Sequence, residues 1–344
     1  MKKRIVALSA VLALSGVLSS YASAVSTSTT NYSDFSPIKD YIESCVPYHI
    51  VAQDIITDPY VTYCEPIPLY DFNEFTTLGY ETFIVDSDEI VGKMDVYTGD
   101  TFSSLFDAQI TDEIAAAYKD GTELAIGYYN DSLLLYTEEN GYSLVDGIYS
   151  GYPDETPSVC SIINTNTQVN SSILSRAGLG SKNLNVVHVP NSTTYHSTGE
   201  CWAACCAMVL NYKQGRSLTA DIVYKAMTDN NKSHHSPDAY DYYGYSYTIQ
   251  KDITPNCGAM SANEVWEQIY NKNRPVSITV KRPNSTTSHQ VVICGITVDS
   301  NYTTYSIDNP NASKRQSFSI SGNPTTVSED ITYGRYTKWC ESIY

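Results

Sequence analysis

The chain has 344 residues, of which 38 are acidic and 21 are basic, so its formal net charge is −17 at neutral pH. An acidic surface repels nucleic acid and anionic membranes, and we therefore exclude both as partners. The length is sufficient for two domains of ordinary size.

The chain begins with the pattern of a secretory signal peptide over residues 1–24. A basic start (Lys2–Arg4) is followed by an apolar run and by the small residues Ala22–Ala24 ahead of a cleavage site. The apolar run is shorter than the ~20 residues that a membrane-spanning helix needs, and no later segment reaches that length. We therefore expect a secreted, extracellular protein with no membrane anchor.

The acidic residues are concentrated in the first half of the mature chain. Residues 25–180 hold 25 acidic and 4 basic side chains, whereas residues 181–344 hold 13 and 14. Residues 161–185 are rich in Asn, Ser, Thr and Gly, which is typical of an exposed connector. We therefore predict an acidic N-terminal domain over residues 25–160, a connector over 161–185, and a second domain over residues 186–344.

The N-terminal domain has the pattern of a mixed α+β unit. The segment TDEIAAAYK (111–119) predicts a short helix, and TELAIGYY (122–129) predicts a strand. The segment SLLLYTEENGYSLVDG (132–147) predicts two further strands, joined by a hairpin turn at Glu139-Asn140-Gly141.

The second domain begins with helices. A helix is predicted from about 200 to 213, with Ser197 or Thr198 as its N-cap and Gly215 as its stop. A second helix is predicted near 219–228. The pair Ser261-x-x-Glu264 is a capping box and predicts a third helix.

The pattern then changes to that of strands. The segments RPVSITVKR, HQVVICGITVD and TYSID are short and apolar or alternating, and turn residues separate them. Helices followed by an antiparallel sheet make an α+β domain.

Cys201 has the setting of a cysteine nucleophile. It opens the first of these helices within GECWAACC, where the helix start favours a thiolate and lowers the pKa of the thiol. Such a nucleophile needs a histidine that takes up its proton and an acid or amide that holds the histidine. His289 opens one strand and Asp308 ends the next, so the two ends meet in an antiparallel pair. Asn309 is the alternative orienting residue, because neighbouring strand residues point to opposite faces.

These motifs resemble the papain-like cysteine peptidases, and especially their compact bacterial branch with its streptopain-type and leader-peptidase-type enzymes. The resemblance covers residues 186–344 and rests on CWAA at the helix start, on SHQVVICGI and on YSIDNP. It implies a helical lobe with the nucleophile and an antiparallel β-lobe with the histidine. By that resemblance Cys201 attacks the peptide carbonyl, His289 protonates the departing amine, and Asp308 orients the imidazole.

The resemblance also implies an oxyanion hole, formed in part by the backbone N–H of Cys201. Family members commonly place a glutamine about six residues before the nucleophile as the second donor. This chain has Tyr195 at that position and His196 next to it. A hydroxyl or an imidazole N–H can donate the same hydrogen bond, so both residues are candidate donors.

The other cysteines and histidines of this region are assigned to structure. Nine cysteines in an exported chain are typical of disulfides, and the odd count then leaves at least one sulfur without an intramolecular partner; the alternative is that several are simply buried thiols. Cys205 and Cys206 lie in the helix body, where burial or a disulfide accounts for them. His234 and His235 match no zinc-ligand spacing, and we expect neither a metal nor another cofactor. Trp202 is either a core aromatic or a shield for the catalytic histidine.

The sequence therefore predicts a secreted cysteine endopeptidase that is made as a zymogen and acts on peptides or proteins. The N-terminal domain is then a propeptide that acts as an intramolecular inhibitor and is removed by self-cleavage in the connector. Two alternatives stay open. A cell-wall amidase or a transglutaminase-type acyl transferase uses the same Cys-His-Asp geometry, and a catalytically inactive papain-like binding protein keeps the fold without the activity.

Overall fold

The computed structural model describes residues 36–53, 60–87, 89–98, 102–110, 112–130, 132–146, 151–162, 164–170, 180–192, 194, 200–251, 258–281, 288–299, 301–321, 330–333 and 336–344. The signal peptide and part of the connector lie outside these ranges. Residues 1–39 and 40–344 cluster as two compact units, and only residues 36–39 of the first are described. The fold is therefore that of residues 40–344.

Helices account for a minor part of the described chain. They are α1 (Ser36–Gln53), α2 (Asp112–Asp120), α3 (Cys201–Gln214), α4 (Ala220–Asp229), α5 (Ser236–Tyr242) and α6 (Ala262–Trp266), which continues as a π-helical turn over Glu267–Asn271. Within the described ranges, no helix combines the length and the apolar character needed to cross a membrane.

Strands make up most of the remaining structure. They are β1 (Tyr60–Cys64), β2 (Ile67–Asp71), β3 (Thr76–Asp86), β4 (Glu89–Tyr97), β5 (Ser103–Asp107), β6 (Leu124–Tyr129), β7 (Ser132–Thr137), β8 (Gly141–Asp146), β9 (Asn164–Asn170), β10 (Gly180–Asn183), β11 (Ile249–Lys251), β12 (Val276–Lys281), β13 (Ser288–Val298), β14 (Tyr302–Asp308), β15 (Gln316–Ser321), β16 (Asp330–Tyr333) and β17 (Tyr336–Ile343).

One ladder continues from the N-terminal region (residues 40–170) into the C-terminal region (residues 180–344). Strands β3, β4, β5, β15, β14, β13, β12 and β17 are antiparallel neighbours in that order. The junction is β5 with β15, where Asp107 pairs with Gln316 and Ser103 pairs with Ile320. The two regions therefore share a single sheet.

The predicted elements of the N-terminal region agree with the structure. The short helix is α2, and the strand after it is β6. The hairpin joins β7 to β8, and Gly141 has a φ of 67°, a left-handed conformation that glycine adopts without strain.

The predicted helices and strands of the C-terminal region are also confirmed. Helix α3 ends at Gly215, which has the left-handed φ of 64°. Ser261 and Glu264 form the reciprocal capping box at the start of α6. The α+β fold class is confirmed. The N-cap of α3 is Glu200, whereas Ser197 and Thr198 lie outside the described residues.

Helix α1 packs across the junction of the sheet. His49 is completely buried there, and its two ring nitrogens contact Ser104 Oγ on β5 at 2.7 Å and Ser317 Oγ on β15 at 2.8 Å. Near the end of the helix, the carbonyl of Ala52 accepts a hydrogen bond of 2.7 Å from Ser306 Oγ on β14. The helix therefore stabilises the pairing of β5 with β15. Burial lowers the pKa of His49 from 6.5 to about 3.

The lowered pKa of His49 predicts a loss of stability in mild acid. Below pH 6.5 the unfolded chain binds a proton that the folded chain does not, so the free energy of unfolding decreases as the pH falls toward 3. Between pH 7.5 and 5 this contribution is about 2 kcal/mol. Urea unfolding of a Cys201→Ala chain measures it, and a further His49→Gln substitution removes this component. Equal pH dependence in both chains would contradict the assignment.

Candidate active site

Helix α3 places Cys201 at its first residue. The residues from Trp202 to Leu210 are all buried, so this helix has no solvent-facing stripe over more than two turns. Alanine, leucine and methionine in this stretch favour helix. The helix packs against α4 and β13, and its position within the core fixes the direction of Cys201.

Cys201 and His289 line the same cavity, which has a volume of about 240 Å³. His289 lies at the start of β13, so the helical side and the sheet side of the C-terminal region each contribute one candidate residue. The remaining lining residues come from α3, α5 and its preceding loop, β12, β13 and β17: Trp202, His234, His235, Ser236, Pro237, Thr279, Ser288, Gln290 and Glu341. A thiol and an imidazole on one cavity are the two groups that a cysteine nucleophile needs.

Asn309 orients the ring of His289. Its Oδ1 lies 2.8 Å from His289 Nε2, and both side chains are buried. Asn309 Nδ2 donates to Gln316 Oε1 at 3.0 Å, which leaves Oδ1 facing the imidazole. An amide oxygen only accepts, so Nε2 carries the proton and Nδ1 is the unprotonated nitrogen of the neutral ring.

Asp308 has a different partner. Its Oδ2 accepts a hydrogen bond of 3.1 Å from Arg315 Nη2, and the same guanidinium nitrogen donates to the carbonyl of Val186 at 3.1 Å. His188 Nδ1 lies 4.0 Å from the Asp308 carboxylate. The structure thus brings Asn309, the alternative orienting residue, to His289. It places Asp308 in an ion pair with Arg315, the residue before β15, which also holds the carbonyl of Val186.

Burial raises the pKa of the Cys201 thiol above its ordinary value of 9.0. Hydrogen bonding with the backbone of Gln290, of Trp202 and of Cys201 itself lowers it in part, and the nearby charge of Glu200 raises it. The lowered pKa that the helix start predicts is therefore wrong in direction, because desolvation outweighs the favourable contacts. A thiol with a raised pKa ionises little by itself at neutral pH, so it needs a proton acceptor in order to react.

Comparison with protein families gives a match that spans these residues. Residues 183–323 match the model of a family described as papain-like cysteine protease AvrRpt2. This region is a papain-like cysteine peptidase. The papain-like fold expected from CWAA and SHQVVICGI is thereby confirmed, and the match does not extend into the N-terminal region.

Two other comparisons give less. No curated protein matches the chain. Among solved structures, digestive procathepsin L 3 from the larval midgut of Tenebrio molitor is similar at 14% sequence identity, over 50% of this chain and 71% of that chain, with a TM-score of 0.32.

Gln290 is a site residue of the peptidase that the sequence analysis missed. Its Oε1 accepts from Ser236 Oγ at 2.9 Å, its Nε2 donates to Ser277 Oγ at 2.7 Å, and its backbone carbonyl accepts from Cys205 Sγ at 3.2 Å. These contacts join α5, β12 and the nucleophile helix to the residue after His289. A glutamine within an otherwise apolar strand is the sequence signal that could have identified it.

Cys205 and Cys206 are buried thiols in the peptidase core. Burial raises the pKa of both, that of Cys206 to about 12, which makes neither a nucleophile at neutral pH. Eight cysteines lie within the described ranges, and no disulfide joins any two of them. The predicted disulfides are therefore absent there, and Cys257 lies outside the described residues.

Trp202 packs with other aromatic rings at the cavity. Its ring stacks on His234 at 5.9 Å and lies 6.3 Å from Tyr224, and these contacts favour the role of a core aromatic. The two candidate oxyanion donors, Tyr195 and His196, lie outside the described residues. A larger cavity of about 730 Å³ is lined by residues of 185–192 and 211–221, without Cys201 or His289.

The raised thiol pKa predicts how Cys201 reacts with iodoacetamide. In a His289→Ala chain the thiol lacks its proton acceptor, so the alkylation rate rises with pH around a midpoint above 9.0. At pH 7 the thiolate is then below about 1% of the population. The wild-type imidazole maintains fast alkylation at pH 7. Intact mass spectrometry measures both rates, and a Cys201→Ala chain reports labelling elsewhere. The same pH profile in both chains would refute the proton transfer.

Proposed function

We propose that the protein is a secreted cysteine endopeptidase that uses Cys201, His289 and Asn309 to hydrolyse peptide bonds. One observation carries the proposal: Cys201 and His289 line one cavity, and the Asn309 amide holds the imidazole with its Nε2 protonated. The family match over residues 183–323 supports the reaction class. The signal-peptide pattern of residues 1–24 supports export.

The reaction begins with transfer of the Cys201 proton to His289 Nδ1. The thiolate attacks the peptide carbonyl, and the oxyanion is stabilised by the Cys201 backbone N–H and by a donor from Tyr195 or His196. The imidazolium then protonates the departing amine, which leaves a thioester on Cys201. Water deprotonated by His289 attacks this thioester, releases the acid and restores the thiol.

Asn309 contributes to the reaction by selecting the tautomer of the His289 ring and by holding the ring in its orientation. A histidine protonated at Nδ1 could not accept the thiol proton, and the Asn309 oxygen disfavours that form because it needs a donor. Asn311 backbone N–H also donates to Asn309 Oδ1 at 3.0 Å, so the amide is held in this orientation from two sides.

The full-length chain is the zymogen. The N-terminal region acts as an intramolecular inhibitor, and cleavage within the connector, residues 161–185, activates the enzyme. The composition of the connector supports this arrangement, since exposed segments rich in Asn, Ser, Thr and Gly are preferred sites of cleavage.

Self-processing tests the peptidase and its nucleophile together. Purified residues 25–344 should shorten under reducing conditions to a fragment that begins between 161 and 185, whereas Cys201→Ala should stay whole until wild-type enzyme is added. Intact mass over time measures both. Equal shortening of both chains would mean that the connector is merely labile. Release of peptidoglycan fragments without casein hydrolysis would replace the endopeptidase by a cell-wall amidase.

Two neighbouring substitutions test which residue orients His289. Asn309→Ala removes the hydrogen bond to Nε2, and we expect kcat on casein-derived peptides to fall on the order of 10²-fold with little change in KM. Asp308→Asn is the matched control, because it weakens the ion pair with Arg315 and leaves Asn309 in place. Its kcat should stay within about threefold of wild type while its unfolding midpoint falls. The reverse ranking of the two variants would assign the role to Asp308.

A further inference from the structure

A buried chain of polar side chains continues from His289 into the N-terminal region. His289 Nε2 contacts Asn309 Oδ1 at 2.8 Å, Asn309 Nδ2 donates to Gln316 Oε1 at 3.0 Å, and Gln316 Nε2 donates to Asp107 Oδ2 at 2.6 Å. Exposed fractions are between 4% and 8% for the four residues, so water does not compete for these contacts. The chain crosses from β13 to β5 through the ends of adjacent strands.

The hydrogen bonds of this polar chain run in one direction, because the carboxylate of its last member, Asp107, only accepts. The backbone N–H of Gln109 donates to Asp107 Oδ1 at 2.8 Å, and the charge of Asp107 also interacts with that of Lys93. Gln316 must therefore present its NH₂ group to Asp107 and its oxygen to Asn309. Asn309 in turn presents its NH₂ group to Gln316 and its oxygen to His289.

The backbone register maintains this arrangement. Asp107 and Gln316 are directly paired across β5 and β15, and Lys93 is paired with Asp107 on the other side, across β4 and β5. Directly opposed residues of antiparallel strands place their side chains on the same face. The row from Lys93 through Asp107 to Gln316 is thus a consequence of strand pairing and does not depend on a flexible loop.

We propose that Asp107 is a positioning residue for His289, acting through Gln316 and Asn309 to maintain the Nε2-protonated tautomer. The inference rests on the proposed cysteine peptidase mechanism, and it assigns part of the active-site support to the N-terminal region. It follows that β5 stays paired with β15 in the active enzyme, so cleavage in the connector relieves the inhibition without detaching the N-terminal fragment.

Asp107→Asn tests the proposal with little change in shape. The oxygen of the substituted amide stays on the Gln109 N–H, and its NH₂ group then opposes the NH₂ group of Gln316. The Asn311 N–H still fixes the orientation of the Asn309 amide, so the polar chain contains one pair of groups that cannot hydrogen-bond. We expect kcat to fall about tenfold, the equivalent of one lost hydrogen bond, with KM unchanged within about twofold.

A second substitution should restore the order of donors and acceptors along the polar chain. In Asp107→Asn with Gln316→Glu, the new amide donates to one carboxylate oxygen of residue 316 and Asn309 donates to the other. We expect kcat to return to within about threefold of wild type. Gln316→Met breaks the chain while leaving Asp107 beside Lys93, and it should lose activity like Asp107→Asn. A purely structural role of Asp107 gives no reason for rescue by the double variant.

Glu81→Gln is the matched control. Glu81 is as deeply buried, lies 3.7 Å from Lys93 and undergoes the same change from carboxyl to amide, but it takes no part in the polar chain to His289. Its kcat should match wild type, and urea midpoints of all variants separate folding from catalysis. Asp107→Asn with the same kcat as Glu81→Gln, or a folded double variant without rescue, would overturn the proposal.

A spectroscopic measurement keeps this inference separate from the peptidase itself. In the Cys201→Ala chain, which stays whole, ¹⁵N NMR of histidine side chains reports which nitrogen of His289 carries the proton, and His289→Gln assigns the signal. We expect Nε2–H in the parent chain and a population of Nδ1–H after Asp107→Asn or Gln316→Met. Unchanged tautomers would sink the inference even if the enzyme cleaves casein, and changed tautomers would support it even if it does not.

Discussion

The ladder between β5 and β15 is the contact on which the rest of the molecule depends. It pairs residues from Asp107 with Gln316 to Ser103 with Ile320, and helix α1 covers it with His49 between Ser104 and Ser317. Backbone N–H and C=O groups in a buried ladder cannot pair with water instead, so leaving them unpaired costs free energy. The C-terminal region therefore does not end at its own sheet edge, because its strand β15 is completed by a strand that the family match does not include.

The buried charges beside this ladder hold β3, β4 and β5 in one register. Lys93 Nζ lies 2.7 Å from Asp95 and 3.7 Å from Glu81, and all three side chains are almost fully buried. Burial lowers the pKa of Lys93, but the three carboxylates of Asp95, Glu81 and Asp107 outweigh it, so its pKa lies above the ordinary value. Burial also raises the pKa of Glu81. Removing one partner of such a cluster costs about 3–5 kcal/mol, so a slipped register that separated these charges is strongly disfavoured.

The sequence predicted local features well, because caps and periodicity act over a few residues. Gly215, the Ser261 capping box and the hairpin at Gly141 each follow from short-range geometry. It also identified Cys201 and His289 as candidates. Asp308 and Asn309 are neighbours at the end of β14, and neighbouring strand residues point to opposite faces. A shift of one residue there exchanges which of the two faces His289, and the local sequence does not determine that register.

Other features could not be derived from local pattern. The pairing of β5 with β15 joins residues that are 209 positions apart, and nothing in the sequence SSLFD indicates its partner. The direction of the thiol pKa depends on burial of Cys201, which the helix start alone does not reveal. The cysteines of the described residues are thiols, and most of them pack in the core as small apolar groups. The number of cysteines in the sequence does not distinguish this arrangement from disulfides.

The separation between β5 and β15 also affects how the protein is made. A ribosome adds about 5–20 residues per second, so β5 emerges roughly 10–40 s before the strand that completes it. During that interval one edge of β5 exposes unpaired N–H and C=O groups, which are a template for pairing with another chain. The edge closes only after nearly the whole polypeptide has been synthesised. The unpaired SSLFD edge of a nascent chain therefore favours aggregation until β15 has been made, and a chaperone that covers this strand would suppress it.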